Sequence, residues 1–196
     1  MQMPLDTRAS LDDDALLSLY AAGDDRAARL LTERLLPRVY SHAARLLGDR
    51  VEAEDVAQEA LLRLWRIAPD WRPGEAQVTT WLYRVTANLC IDRQRKRRGM
   101  ALDAVEEPAD PAPGPAETMQ ARARFDALQA ALDTLPERQR QAVVLRHIEG
   151  LSNPEIAGIM ELNVRAVESL TARGKRALAA TLAARRTELG YEDDDT

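Results

Sequence analysis

The sequence predicts an all-α protein of two helical domains joined by a flexible tether, and three observations carry that prediction. Alanine, leucine and arginine recur throughout a chain that is 45% hydrophobic but only 4% aromatic, and these residues lose little rotamer freedom in a helix. Apolar residues repeat at helical spacing in two blocks, residues 10–99 and residues 121–187. Between them, Pro108, Pro111, Pro113, Gly114 and Pro115 allow neither a helix nor a packed core. A chain of 196 residues can bury a core in each block but has little left over for a catalytic apparatus.

The first block opens with Leu16, Leu17 and Tyr20 behind the acidic cap cluster Asp12, Asp13 and Asp14. Asp24 starts a second segment in which Leu30, Leu31, Leu35, Val39, Ala43 and Leu46 recur until Gly48 stops it; Pro37 predicts a kink or a break there. In the most regular helix, Ala53, Val56, Ala57, Ala60, Leu61, Leu64 and Trp65 share one stripe, and Gln58, Glu59, Arg63 and Arg66 lie off it. Pro69, Trp71, Pro73 and Gly74 make a loop with an exposed-looking tryptophan. A last helix packs through Trp81, Leu82, Val85 and Leu89 and turns Arg84, Asn88, Asp92 and Arg95 the other way.

Residues 100–120 read as an acidic linker whose extended length is at most about 70 Å. That reach spans one and a half to two turns of duplex, at about 34 to 36 Å per turn. The second block contains a helix-turn-helix. Ser152-Asn153-Pro154-Glu155 is a capping box. Ile156, Ala157 and Met160 bury the first helix, Glu161 and Leu162 make the turn, and Asn163 caps a second helix that packs through Val167, Leu170 and Leu178. Arg165, Glu168, Ser169, Ala172, Arg173 and Arg176 then face outward, and residues 188–196 form an acidic tail.

The formal net charge of -5 is distributed in blocks. Residues 84–98 carry six cations against one anion, whereas residues 100–121 hold five acids and no base. Two basic modules thus alternate with two acidic segments, a pattern that suits contact with nucleic acid at two places. Cys90 stands alone and lies in an apolar run, so it reads as a buried small hydrophobe; with only His42 and His147 beside it, no zinc ligand set exists. A Gly-rich phosphate loop, a metal site built on paired carboxylates and a nucleophile with its base are all missing. No enzyme activity, cofactor or small-molecule substrate is therefore expected. No stretch approaches the roughly 20 apolar residues of a membrane span, and residues 1–14 lack the apolar core of a signal peptide, so the expected location is the cytoplasm.

The run Val51-Glu52-Ala53-Glu54-Asp55-Val56-Ala57-Gln58-Glu59-Ala60-Leu61-Leu62-Arg63-Leu64-Trp65, followed by Thr80 to Arg93, resembles region 2 of the extracytoplasmic-function group of bacterial RNA polymerase sigma factors. Leu135 through Arg176 resembles region 4 of the same group, and the acidic linker stands where larger sigma factors carry region 3. On its residues alone, the face of Asp55, Gln58 and Glu59 reads as a solvated acidic surface. The resemblance implies instead that this Asp-x-x-Gln-Glu pattern, with Arg63 beside it, docks on the clamp helices of core RNA polymerase. It also implies a function: directing promoter-specific initiation by recognising −10 and −35 elements and assisting melting.

For the −10 element, the resemblance points to the loop at residues 70–79 as the pocket for a flipped non-template base. Trp71 and Tyr83 are the candidate stacking faces, and Arg84, Asn88, Arg93, Arg95, Lys96 and Arg97 the candidate track for the backbone. Trp81 reads as core. For promoter DNA at the −35 element the candidates are Asn163, Arg165, Glu168, Ser169, Arg173 and Arg176, with Arg165 suited to guanine and Glu168 to cytosine. Glu168 and Leu170 stand where many members of the group carry Lys and Arg, which predicts weaker phosphate contact there. The linker reads equally as an occupant of the RNA path or as a plain solvated tether, and the tail as a screen for the basic helices. An anti-sigma factor is implied as a partner by the resemblance alone. Two alternatives remain at this level: a polymerase-independent helix-turn-helix regulator, and a sigma mimic that titrates an anti-sigma factor.

Overall fold

The computed structural model describes residues 11–101 and 119–183, so most of the expected linker and all of the acidic tail lie outside the described residues. Every regular element among the described residues is helical, as expected. The first module comprises α1 (Asp13–Ala21), α2 (Asp25–Leu47), α3 (Arg50–Ile67), a short 3₁₀ turn (Ala68–Asp70) and α4 (Val78–Ala101). An aspartate starts each of the first three helices. Asp12 accepts from the Ala15 amide at 2.7 Å, Asp24 from Arg26 at 3.1 Å and Asp49 from Glu52 at 3.0 Å. Each such cap contributes about 1 kcal/mol by satisfying an amide that has no partner inside the helix.

Pro37 does not break the second segment, which is a single helix of 23 residues. The missing N–H and the ring clash of an internal proline cost about 3 kcal/mol. Leu31, Leu35, Val39 and Ala43 offset that cost by forming one buried stripe across it, and full burial of each large side chain contributes about 1.5 to 3 kcal/mol. Gly48, at φ 71°, ends α2 in the left-handed conformation. The core of the module gathers Leu16, Leu17, Leu31, Leu35, Val39, Leu64 and Leu82, with Trp81 packed against it as expected.

The second module comprises α5 (Met119–Asp133), α6 (Glu137–Val143), a π-helical turn (Val144–Ile148), α7 (Asn153–Met160) and α8 (Val164–Ala183). The capping box at Ser152 forms as its sequence predicts, with Glu155 reaching back to the Ser152 amide at 2.8 Å. Asn163 accepts from the Ala166 amide at 2.8 Å and so caps α8. Glu161 makes the turn between the two helices at φ 53°. Gly174 is required for the contact of α6 with α8, because a Cβ there would lie 2.5 Å from Val143 Cγ2.

The two modules pack directly on each other. Arg140 donates to the Leu46 carbonyl at 2.7 Å, the Arg45 guanidinium sits 4.0 Å from the centre of the Phe125 ring, and α4 lies against α7. Tyr83, Thr86, Ala87 and Cys90 form a second buried stripe on α4, in which Tyr83 packs on the second module while Ala87 and Cys90 join Ala43, Leu46 and Val56 of the first. Cys90 is 2% exposed, in line with its reading as a small hydrophobe, and burial pushes its thiol up to about 12.

Candidate nucleic-acid interface

The outward face of α3 is mixed. Asp55, Gln58 and Arg63 are exposed, but so are Val51 and Leu62, at 73% and 49%. Glu59 accepts from Arg63 Nε at 2.8 Å, one turn away, and this bond holds its carboxyl below the usual range. Asp55 is not free, since its carboxylate lies 3.3 Å from Arg93.

That pair belongs to a larger arrangement. Arg93 also faces Glu52 at 3.9 Å, while Arg97 bonds Asp49 and reaches Glu52 at 3.1 Å. Gln94 donates to the Leu46 carbonyl at 2.8 Å. Partial burial opposes ionisation of Asp49, but bonds from the Glu52 amide and Arg97 outweigh it and hold the carboxyl below its ordinary value. The acids at the start of α3 therefore clamp the basic end of α4. Of the expected phosphate track, Asn88, Arg95 and Lys96 are exposed, and Arg93 and Arg97 are engaged within the module.

The aromatic candidates are also engaged. Trp71 is half-buried rather than exposed: its indole Nε1 donates to Asp14 at 2.9 Å, and its ring meets Trp81 edge-on at 6.2 Å. Beyond it, Arg72 and Glu75 pair at 3.4 Å on the loop surface and Gly74 turns the chain at φ 89°. Tyr83 is 5% exposed and packs with Ala142, Leu145 and Ile156 of the second module. Its hydroxyl donates to Glu149 at 2.6 Å and its ring meets His42 edge-on at 5.1 Å. Arg84 faces Glu161, in the turn of the helix-turn-helix, at 3.4 Å.

The second module presents its candidates differently. Asn163, Arg165, Glu168, Ser169, Arg173 and Arg176 are all exposed, and Val167 on the opposite face is fully buried. Among the described residues none of Arg165, Arg173, Lys175 and Arg176 is in an ion pair; Arg173 Nε donates only to the Ser169 carbonyl, at 3.2 Å. Sequence reasoning missed the roles of Asp14 and Glu149 and the second module's hold on Tyr83. The spacing of Tyr83, Thr86, Ala87 and Cys90 was an available signal for that second buried stripe.

Comparison with known proteins matches both modules. Residues 31–99 match the family model of Sigma-70 region 2, and residues 125–178 that of Sigma-70 region 4. The ECF RNA polymerase sigma factor SigE of Mycolicibacterium smegmatis is 37% identical over 185 residues, covering 90% of this chain and 71% of that protein. The ECF RNA polymerase sigma-E factor of Escherichia coli is 30% identical over 179 residues, covering 86% and 93%. The solved structure of CnrH, in complex with the cytosolic domain of CnrY, superposes with a TM-score of 0.68 at 28% identity, covering 88% of this chain and 97% of that one. No helix among the described residues is long and apolar enough to cross a membrane. With both regions matched in order along an all-helical chain, the protein belongs to the extracytoplasmic-function group of RNA polymerase sigma factors, which bind core polymerase and direct it to promoters.

Proposed function

We propose a division of labour within the chain. Residues 10–99 hold core polymerase through the outward face of α3, with Asp55, Gln58, Glu59 and Arg63 as polar contacts and Val51 and Leu62 as apolar ones. The same module opens the −10 element. Trp71 offers a half-buried aromatic face, Tyr83 offers one only once the second module moves off it, Arg84, Asn88, Arg95 and Lys96 follow the backbone, and Arg93 and Arg97 are shared between phosphate and the acids that hold them. Flipping a base costs a few kcal/mol, and stacking at about 1 to 3 kcal/mol per base plus phosphate contacts offsets it. Residues 121–187 read the −35 element through Asn163, Arg165, Glu168, Ser169, Arg173 and Arg176, and the acidic segments at residues 100–120 and 188–196 connect and flank the modules.

The observation that supports this reading is the outward face of α8, where exposed cations without ion pairs among the described residues stand on a capped helix-turn-helix, in the same chain as a segment that matches Sigma-70 region 2. The chain contributes no bond chemistry of its own and works in the cytoplasm beside the polymerase. A protein inhibitor of the anti-sigma kind is part of the proposal, supported by the similar CnrH having been solved with the cytosolic domain of CnrY. Run-off transcription with purified core polymerase, on a promoter found by mapping transcript starts after overexpression, tests the whole. Specific initiation that depends on both promoter elements is expected. Tight duplex binding without initiation would favour a polymerase-independent regulator.

A further inference from the structure

Helix α1 lies outside the segment that matches the family's region 2, which begins at residue 31, yet it supports the loop proposed to capture the melted base. It is firmly placed. Leu16 and Leu17 are fully buried in the first core, Arg34 of α2 donates to the Leu11 carbonyl at 2.7 Å, and Asp13 faces the same guanidinium at 3.3 Å. From this fixed helix Asp14 accepts the indole N–H of Trp71, 57 residues away in sequence. Trp71 stands where the loop leaves the 3₁₀ turn. On its near side the 3₁₀ turn Ala68–Asp70 packs against α1, and on its far side the exposed residues 72–77 lead into α4.

We infer that Asp14 is a positioning residue for promoter opening: it fixes the rotation of the Trp71 ring and thereby sets where the loop offers its base-binding surface. Trp71 has two edges already assigned, the N–H to Asp14 and the ring edge to Trp81, so only its remaining surface is left for a nucleobase. Losing the carboxylate removes the bond that fixes the direction of the indole N–H, whereas the contact with Trp81 and packing against the first core hold the ring only by shape. A base captured by stacking and edge contacts is sensitive to rotation of the ring, whereas phosphate contacts on α4 are not. This inference rests on the proposed role of the loop in the −10 element.

The full-length protein with core polymerase provides the test, on the mapped promoter and on variants substituted base by base in the −10 or in the −35 element. Asp14→Ala and Trp71→Phe each remove the bond, and Asp14→Asn keeps an acceptor. Each of the first two is expected to reduce discrimination among −10 variants by about tenfold, the scale of one hydrogen bond to a charged group, and their combination is expected to add little more. Asp14→Asn should stay near the unaltered protein, and discrimination among −35 variants should not move. A purely structural role predicts a lower melting temperature and a parallel loss on all promoters with −10 discrimination intact, and that result would overturn the inference. Failure of the unaltered protein to initiate would overturn the underlying reading instead, a distinguishable outcome.

Discussion

The two modules carry similar numbers of candidate DNA contacts but hold them in opposite conditions. On α8 the arginines stand in solvent without ion pairs among the described residues, so this surface can meet a phosphate backbone as it is. In the first module Trp71 is held by Asp14, Tyr83 by Glu149, Arg84 by Glu161, and Arg93 and Arg97 by acids of α3. Two of these restraints, Glu149 and Glu161, come from the second module. On the proposed assignment of sites, an exposed helix-turn-helix thus covers part of the −10 surface, and contact at both promoter elements would require the modules to separate.

The largest expected effect concerns the residue beneath that joint. His42 is fully buried against Tyr83, neither of its ring nitrogens has a hydrogen-bond partner among the described residues, and burial lowers its pKa from 6.5 to about 3. The unfolded chain therefore takes up a proton that the folded chain refuses, and stability falls as pH drops from about 6.5 towards 3. At about 1.4 kcal/mol per pH unit, the loss reaches on the order of 4 kcal/mol at the acid end. Urea unfolding of His42→Leu across this range should show a markedly flatter pH dependence. An unchanged slope would place the acid sensitivity elsewhere.

A smaller effect, on the order of 1 to 3 kcal/mol, is expected where the modules meet. Tyr83→Phe removes the bond to Glu149 and leaves that carboxylate partly buried without its donor. Separation should become easier, seen as a larger radius of gyration by X-ray scattering and faster exchange of the α4 amides. Desolvation raises the pKa of Glu149, opposed by the Tyr83 bond and by Arg38 and Arg45. Packing is therefore firmest below the ordinary carboxylate value and weakens as pH rises through the elevated one. Without the phenol this dependence should steepen.

Much of this was legible in the chain. Local signals named helices correctly where the determinant was local: the Ser152 capping box, the Asn163 cap, Gly48 as a stop and the stripe from Ala53 to Leu64. Of the kink or break that Pro37 predicts, the break does not occur, because its local cost is offset by distant packing partners of Leu35 and Val39. The basic run at the end of α4 was visible as charge, but which cations are free depends on Asp49, Glu52 and Asp55, some 40 residues earlier in the chain. Tyr83 was read by its chemistry as a base-stacking face, and only tertiary packing decides that its ring is covered.

The difference between paired and unpaired cations has a last consequence, the smallest in size and the most direct to measure. Each phosphate neutralised releases condensed counterions, so removing one true contact lowers the salt slope of DNA binding by about one. Arg165→Ala and Arg95→Ala each remove an exposed cation and should show that full change, measured with polymerase bound on promoter duplex. Arg93→Ala removes a cation already shared with Asp55 and Glu52, so its slope should change by well under one. It should instead lower the stability of the first module by up to about 1 kcal/mol, as expected of a partly exposed ion pair. Equal slopes for Arg93 and Arg95 would mean that promoter binding dismantles the clamp between α3 and α4, and the first module would then rearrange inside as well as at its edge.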